Sequence, residues 1–266
     1  MALVLAVVNQ KGGVGKTTTA VNLAASLAAQ EHRALVVDLD PQGNASSGMG
    51  VSRDQGERPT IYQALLGEAD ARSAVLPTEV PHLFVLPSSA DLVGAELELV
   101  SMQARESRLR AALEPLRDAY EYVFIDCPPS LGLLTINALV ASDRVLVPLQ
   151  CEYYALEGLG SLLRTIELVK GSLKPGLELE GVVLTMFDVR NNLARQVMKD
   201  VQANLPGQVY ETVIPRNVRL SEAPSHGRPA ILYDIESKGA QSYLQLAEEM
   251  IHRHRDRALA TERKRA

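Results

Sequence analysis

The feature that most constrains the fold is a glycine-rich segment directly after a short apolar run near the N-terminus. The run "LVLAVVN" from Leu3 has no polar alternation, as expected for a strand buried on both faces. The segment "NQKGGVGKTT" follows, and "KTTTAVNLAASLAAQ" then carries apolar residues at helical spacing. A strand, a glycine-rich loop and a helix in this order form a unit that holds phosphate at a helix N-terminus. The sequence therefore predicts an α/β fold built around an anion-binding loop.

This loop departs from the phosphate-binding pattern G-x-x-x-x-G-K-[ST] in its first half. Residues Gly15–Thr17 supply the end of the pattern, but Gln10 stands where the first glycine belongs, and Lys11 adds a second lysine. The dinucleotide pattern G-x-G-x-x-G, started at Gly13, fails because Thr18 stands at its last glycine. The loop is therefore a P-loop that contains one lysine more than phosphate binding requires.

Each residue type in the second half of the loop has a chemical reason to be there. Gly12, Gly13 and Gly15 allow backbone N–H groups to turn inward around a phosphate. Lys16 would reach the β- and γ-phosphate oxygens, and the Thr17 hydroxyl would bind Mg²⁺. These residues predict a nucleotide triphosphate and Mg²⁺ as ligands.

Further apolar runs indicate a mostly parallel twisted sheet flanked by helices on both faces, the P-loop NTPase form of the α/β class. The predicted strands after the first are "ALVVDLD" (Ala34 to Asp40), "LFVLP" (Leu83 to Pro87), "YVFIDCPP" (Tyr122 to Pro129), "RVLVPLQ" from Arg144 and "GVVLTMFD" from Gly181. The predicted later helices are Asp91 to Leu113, Leu131 to Ala141, Leu156 to Lys170, Leu193 to Asn204 and Lys238 to His254. We expect one domain over residues 1–252 and a basic, frayed tail over 253–266.

Composition and charge favour a globular protein and disfavour membrane-spanning and disulfide-rich secreted proteins. The 266 residues are 46% hydrophobic and 22% charged, which is typical of a globular protein with a large core. No apolar run reaches the roughly 18 residues of a membrane span, and no basic leader precedes Leu3. Two cysteines, Cys127 and Cys151, are too few for a disulfide framework, so we expect a reducing cytoplasm. The net charge of −5 disfavours nucleic acid except at a local basic patch, although the last fifteen residues carry about +4.

Carboxylates follow two of the predicted strands. Asp126 ends an apolar run, as a Walker-B aspartate does, and would hold Mg²⁺ through water beside Thr17. Asp38 and Asp40 end another run. Because ligands of parallel sheets bind outside the carboxyl ends of the strands, we expect these groups and the loop to form one site.

Together, these motifs resemble the ParA/Soj family of DNA-segregation ATPases, within the MinD/ParA superfamily. The resemblance runs from about Leu3 to about Met250 and rests on several motifs at once. The motifs are "KGGVGKTT", "DLDPQGNASSG", "FIDCPPSLGLLT", "QCEYYALEGL" and "VIPRNVRLSEAPSHG".

The resemblance implies a role for the second lysine and for the acidic residues. Lys11 would be the signature lysine of a deviant Walker A motif, reaching phosphates bound by the other subunit of an ATP-bound homodimer. Asp40 would position the attacking water and lie near Mg²⁺, although spacing alone leaves Asp38 open for that task. The nucleotide-binding residues then comprise Lys11, Gly12, Gly13, Val14, Gly15, Lys16, Thr17 and Thr18, with Pro215 and Asn217 at the adenine of ATP or ADP. Asn217 could equally satisfy a turn.

The resemblance also implies non-specific binding of double-stranded DNA. It places contacts at Arg190 and Arg219, in a basic segment that also holds Arg195 and Lys199. The alternative for these arginines is ion pairing with Asp188, Glu211 or Glu222. The C-terminal segment has no broad apolar face with Phe or Trp, so a membrane-bound role is disfavoured.

The function expected from the resemblance is a partitioning switch for a chromosome or plasmid. A weak ATPase would be stimulated by a ParB/Spo0J-like partner, and the protein would be cytoplasmic and nucleoid-associated. Two alternatives stay open. One is a regulator of replication initiation that acts by protein contact, and the other is a metabolic ATP-dependent ligase on the same fold, for which no substrate motif is visible.

Overall fold

A computed structural model describes residues 1–52, 54 and 56–265, with side chains to residue 260. Its centre is one seven-stranded sheet in the order β3-β4-β2-β5-β1-β6-β7, parallel except for β3, which pairs antiparallel with β4 at the edge. The strands are β1 (Leu3–Val7), β2 (Ala34–Asp38), β3 (Leu76–Pro77), β4 (Leu83–Leu86), β5 (Tyr122–Asp126), β6 (Arg144–Gln150) and β7 (Glu178–Thr185). The predicted α/β fold with a mostly parallel sheet is confirmed.

Helices cover both faces of the sheet. They are α1 (Lys16–Ala28), α2 (Asn44–Gly48), α3 (Ile61–Leu66), α4 (Ala71–Ala74), α5 (Leu92–Val100), α6 (Arg108–Leu113), α7 (Leu133–Ala141), α8 (Ala155–Ser172), α9 (Asn192–Asn204), α10 (Val218–Glu222), α11 (Ala230–Tyr233) and α12 (Lys238–Arg265), with short 3₁₀ turns at Glu114–Leu116 and Ala223–His226. Within this described part of the chain, no helix is both long and apolar enough to cross a membrane.

Strand pleating sends alternate side chains of β1 into two separate cores. Val4 and Ala6 join the core beneath α5, α7 and α8, whereas Leu5 and Val7 join the core beneath α1 and α12. Because each strand in the middle of the sheet is covered on both faces, its sequence is apolar without alternation.

Strand register brings the predicted site residues to one edge. β5 lies between β1 and β2, and its last residue, Asp126, pairs with Val7 on one side and with Asp38 on the other. The glycine-rich loop after β1 therefore lies level with both carboxylates. The expectation of one site at the carboxyl ends of these strands agrees with this register.

The predicted helix from Asp91 to Leu113 is wrong as a single element, because α5 and α6 are separated at residues 101–107. The break is stabilised from outside by Asn137 of α7. Its buried side-chain amide donates to the carbonyl of Arg105 at 2.8 Å and accepts from the backbone N–H of Leu109 at 3.1 Å. A helical pattern in sequence could not reveal this interaction with a distant residue.

The C-terminal helix is longer than expected. The prediction ended it at His254 and made residues 253–266 a frayed tail, but α12 continues to Arg265. The side chains of Arg263, Lys264 and Arg265, and residue 266, lie outside the described part. Two sets of contacts fix the helix at residues that the prediction placed in the frayed tail. Arg253 donates to the carbonyl of Val209 at 2.7 Å, and further residues of α12 contact Glu180.

Glu180 is a fully buried carboxylate on β7, far along the strand from the glycine-rich loop. It accepts hydrogen bonds from Arg144 at 3.0 Å, from Arg257 at 2.5 Å and from the Tyr210 hydroxyl at 2.7 Å. His254 lies 3.2 Å away as an ion-pair partner. Because Arg257 and His254 belong to α12, the buried charge holds this helix against the sheet as far as Arg257.

We predict that Glu180→Gln lowers the free energy of unfolding by about 3–5 kcal/mol at pH 7, because it removes the buried carboxylate that the partly buried Arg144 and Arg257 share. Burial alone raises the pKa of Glu180, but His254, Tyr210 and Arg257 lower it to about 2. A carboxylate with a lowered folded pKa stabilises the protein above its ordinary pKa, and this contribution is lost as the pH falls towards 2. Between pH 5 and pH 3, wild type should lose about 2 kcal/mol more than the variant in urea denaturation.

Glu178→Gln is the matched control for this measurement. Glu178 also pairs with Arg144, at 3.1 Å, but its side chain is 61% exposed. Its replacement should cost less than about 1 kcal/mol. Equal losses from the two substitutions would show that burial of Glu180 does not anchor α12.

Candidate functional site

The glycine-rich loop has the backbone shape that anion binding requires. Gly13 and Gly15 adopt left-handed φ values of 73° and 88°, and α1 begins directly after Gly15. A Cβ added at Gly12 or Gly13 would meet nothing within 4 Å, so open space lies beside the loop. The Thr185 hydroxyl at the end of β7 donates to the carbonyl of Val14 at 2.8 Å and fixes the loop from outside. The result is an open cradle at the N-terminus of α1.

Lys16 lies in this cradle with only 7% of its surface exposed. Its ammonium donates to the carbonyl of Lys11 at 3.2 Å and forms no ion pair with any described residue. Burial lowers the pKa of Lys16, although the charges of Asp126 and Asp40 oppose the effect. A buried cation without a counter-ion at the N-terminus of α1 fits a bound phosphate.

Asp126 is fully buried at the end of β5, and neither of its carboxylate oxygens has a hydrogen bond of ordinary geometry. Burial, together with the nearby charge of Asp38, raises its pKa well above the usual value, and the hydroxyl of Thr17 acts in the opposite direction. Unpartnered buried oxygens beside a threonine hydroxyl match the donor chemistry that Mg²⁺ prefers.

The residues present therefore fit Mg²⁺ only when a nucleotide supplies further ligands. Within residues 1–52, 54 and 56–265, no group of three or more His, Cys, Asp or Glu side chains could hold a metal by itself. Thr17 and phosphate oxygens would bind the ion, and Asp126 would hold it through water, with Asp40 close by.

The two carboxylates after β2 have different surroundings. Asp38 accepts from both the backbone N–H and the hydroxyl of Ser46, at 2.7 and 2.6 Å, which ties it to α2. Burial, the largest influence, raises the pKa of Asp38 to about 6. Asp40 lies beyond the strand in a turn, where it accepts from the backbone N–H of Gln42, and its own carbonyl accepts from the Ser88 hydroxyl at 2.8 Å. Asp38 thus supports the loop, and Asp40 is the more open of the two.

Sequence reasoning missed Ser46 and Ser88, which position these carboxylates. Both are fully buried, and the backbone N–H of Ser88 also donates to the Ser46 hydroxyl at 3.2 Å. Ser46 lies in the motif "DLDPQGNASSG" with Asp38, but the motif gave it no role, and Ser88 reaches the site only through the pairing of β4 with β2.

Lys11 forms an ion pair with Glu152, which follows β6. The side chains of both residues are 48% exposed. The backbone N–H of Lys11 donates to Asn9 at 3.0 Å, so the turn that carries the lysine is itself fixed. The second lysine of the loop is therefore engaged with a partner outside the loop, which the sequence did not reveal.

Pro215 and Asn217, predicted near adenine, line a small cavity of about 90 Å³ together with Gly15, Thr18 and Met186. The structure therefore brings them beside the loop. The side-chain oxygen of Asn217 also accepts from the backbone N–H of Arg219 at 3.0 Å and begins α10. This hydrogen bond is the turn-satisfying alternative that the sequence left open.

The residues predicted to contact DNA lie on exposed surfaces. Arg190 is 86% exposed and pairs with Asp188, and Arg219 is 46% exposed and pairs with Glu222 and Asp234. A bridge between Phe187 and Pro215 places the two segments that carry these arginines side by side. Arg195 and Lys199 are exposed one turn apart on α9. Two of the three acids expected as ion-pair partners of these arginines, Asp188 and Glu222, do pair with them. The third, Glu211, is in contact with Glu249, to which its backbone N–H donates.

The sheet order, the glycine-rich loop and the buried aspartate define a P-loop nucleotide-binding protein of the α/β class. Residues 2–179 match the model of an AAA domain family. The chain is 58% identical over 250 residues to the Myxococcus xanthus chromosome partitioning protein ParA, covering 94% of this chain and 88% of that one. It is 56% identical to the Bacillus subtilis sporulation initiation inhibitor protein Soj, with 94% and 98% covered. The chain belongs to the ParA/Soj family of P-loop ATPases.

A solved structure extends the comparison to bound ligands. The cobyrinic acid a,c-diamide synthase of Mycobacterium smegmatis, with bound ADP and magnesium, superposes with a TM-score of 0.81 at 40% identity. The match covers 93% of each chain. Nucleotide and Mg²⁺ binding are thus properties of structural relatives of this chain.

We predict that Mg²⁺–ATP raises the thermal stability of the protein through Lys16. At a ligand concentration one hundred times Kd, binding should stabilise the folded state by about 2.7 kcal/mol. Lys16→Ala should abolish this gain, because it removes the buried cation of the cradle. Differential scanning fluorimetry with ATP, with and without Mg²⁺, measures the effect. Lys238→Ala, which removes an exposed lysine on α12, should retain the full gain, and an equal gain in Lys16→Ala would disprove the assignment.

Proposed function

We propose that the protein is an ATP-dependent partitioning switch. An ATP-bound homodimer binds double-stranded DNA without sequence preference, and hydrolysis stimulated by a ParB/Spo0J-like partner releases it. The observation that carries the proposal is the position of Lys11, a loop lysine that is directed to Glu152 rather than into its own cradle. The names of the relatives, chromosome partitioning protein ParA above all, support the same assignment.

Lys11 is free to exchange partners at low cost. An ion pair whose two side chains are half exposed contributes at most about 1 kcal/mol. A phosphate held by a second copy of the chain offers the ammonium a stronger, more buried counter-charge. Dimerisation is therefore rewarded when ATP is bound, as with an arginine finger supplied in trans.

Hydrolysis is assigned to the residues around the cradle. Bound Mg²⁺ would neutralise charge on the phosphates, held by Thr17 and Asp126. Lys16 binds the β- and γ-phosphate oxygens, and Asp40 orients the attacking water. The backbone of Asp40 is held by Ser88, so its carboxylate can be placed without ordering a flexible loop. We expect weak turnover by the protein alone. Pro215 and Asn217 would face adenine.

DNA binding is assigned to Arg190, Arg219, Arg195 and Lys199. Their exposure permits phosphate contacts, and the exposed ion pairs of the two arginines are weak enough to open. The net charge of the chain is −5, so the basic patch of a single copy is weak. A dimer doubles the number of contacts and gains avidity, which makes binding depend on ATP. The protein would then be cytoplasmic and nucleoid-associated.

Two other functions are less well supported. A metabolic ligase role is suggested only by the name of the diamide synthase, at 40% identity against 58% for the partitioning relative. It gives no reason for exposed arginines on two adjacent segments. A regulator of replication initiation would use the same switch and differ only in its partner.

We predict that Arg219→Ala and Arg190→Ala each weaken ATP-dependent binding to a random-sequence duplex by at least about tenfold. Each substitution removes one phosphate contact per subunit, so the salt dependence of binding should also become shallower. Fluorescence anisotropy with ATP, ADP or no nucleotide, at two salt concentrations, measures both effects. Only ATP should support tight binding by wild type.

Arg72→Ala is the matched control. Arg72 is 64% exposed and pairs with Asp70 two residues away, as Arg190 pairs with Asp188. It belongs to α4, outside the basic segment, and its loss should leave DNA binding unchanged. If nucleotide state made no difference to wild type, or Arg72→Ala weakened binding equally, the proposed switch would lose its mechanism.

A further inference from the structure

α5 buries one face and leaves the opposite face apolar and open. Its inner residues Leu92, Ala95 and Leu99 are fully buried. On the outer face, Val93, Leu97 and Val100 are 69%, 79% and 58% exposed. Their spacing of four and three residues places them in one stripe along the helix. Three large apolar side chains exposed in a row are typical of a surface that another chain covers.

The surroundings of this stripe are acidic. Asp91 precedes the helix, and Glu96 and Glu98 lie within it, whereas α5 contains no basic residue. Asp91 forms no ion pair with a described residue, and Glu98 is paired only with the neutral hydroxyl of Tyr62, at 2.8 Å. An apolar stripe bordered by carboxylates is complementary to a peptide that carries both apolar and cationic side chains.

A cleft of about 420 Å³ opens at the N-terminal end of the stripe, between Asp91 and the segment that holds Thr60 and Gln63. Ser89 lines it, and the hydroxyl of this 92%-buried residue has no hydrogen-bond partner among the described residues. Arg58 also lines the cleft, together with the carboxylates of Asp54 and Asp91, which are the lining groups that would attract a cation. An unsatisfied buried hydroxyl beside an unpaired carboxylate favours a donor from outside the chain.

α5 and the segment that leads into it contact the chain after both acidic strands of the site. Directly before the helix, the Ser88 hydroxyl holds the carbonyl of Asp40 at 2.8 Å. Within it, Glu96 accepts from the backbone N–H of Leu134 at 3.4 Å, at the start of α7, just after the loop that follows Asp126. A ligand that shifts α5 therefore acts on both loops around the cradle.

We infer that the outer face of α5, with the cleft at Ser89 and Asp91, is the docking surface for a basic amphipathic peptide of a partner protein. Peptide binding would move α5, and this movement would reach Asp40 through the hydrogen bond of Ser88 and the loop after Asp126 through that of Glu96. The shift of these two loops completes the positioning of the attacking water. This inference rests on the proposed partner-stimulated hydrolysis and specifies where stimulation enters the molecule. A second copy of this chain is a poorer occupant, because like carboxylates would face each other across a self-paired α5.

Peptide binding tests the surface directly. The probe is a dye-labelled helical peptide with leucines on one face and lysines on the other, titrated with the full chain and followed by fluorescence anisotropy. The double substitution Val93→Ser with Leu97→Ser should weaken binding by at least about tenfold. A peptide with glutamate in place of lysine should bind poorly to wild type. Leu168→Ser, which alters a 72%-exposed leucine on α8, is the matched control and should bind as wild type does.

A second measurement tests the route to the site. With Mg²⁺–ATP present, the lysine peptide should raise the hydrolysis rate of wild type, and Ser88→Ala should lose this increase while keeping its affinity for the peptide. A packing role for Ser88 alone would not separate these two readouts. Loss of peptide binding in Ser88→Ala would overturn the assigned route.

The surface and the proposed function fail in different ways. If the double variant binds the peptide as tightly as wild type, or the glutamate peptide binds equally well, the docking surface is refuted while ATP-dependent DNA binding is untouched. If the double substitution instead abolishes ATP-dependent dimerisation in analytical ultracentrifugation, the stripe is an interface between copies. Absence of ATP-dependent DNA binding by wild type refutes the switch, whereas peptide affinity at α5 is measured without it.

Discussion

The burial of opposite charges beneath the glycine-rich loop is the interaction on which the rest of the site depends. Asp38 and Asp126 are fully buried at adjacent strand ends, and Lys16 is almost as deeply buried beside them. Such charges are costly unless they meet a counter-charge, and oxygens of both carboxylates lack a hydrogen bond. These buried charged groups are therefore unfavourable in the protein alone, and a bound nucleotide with its metal ion would supply the counter-charges that they lack. Ligand binding and local stability are consequently linked.

Sequence was sufficient for features that depend on neighbouring residues. The apolar runs, the glycines of the loop and Asp126 at the end of β5 each carry a local signal, and strand register then brings them together. Ser88, Glu152 and the partners of Glu180 carry no such signal, because each reaches its contact through the pairing of distant segments. The continuation of α12 beyond His254 was missed for the same reason. Its anchor is a carboxylate on β7 rather than a pattern within the helix.

The two buried polar centres lie at opposite ends of the sheet and have opposite characters. Glu180 is surrounded by cations and a hydroxyl, so its charge is satisfied within the chain and its pKa is low. Asp126 is left with no counter-charge in hydrogen-bond contact, and its pKa is high. A satisfied network stabilises one structure, whereas an unsatisfied one is a place where a ligand can act. The contrast distinguishes the end of the sheet that anchors α12 from the end that carries the candidate site.

A close contact connects the nucleotide end to the basic segment. The chain after Asp40 continues through α2 to Gly50, and the chain after Arg219 continues through a 3₁₀ turn to Gly227. Both glycines have left-handed φ values, and a Cβ on Gly227 would lie 2.9 Å from the Cα of Gly50. The backbones of Gly50 and Gly227 are in direct contact, and no side chain lies between them that could rearrange if one of them moved. Any displacement of α2 would therefore have to move the turn that follows Arg219, so this contact joins the segment after Asp40 sterically to the proposed DNA surface.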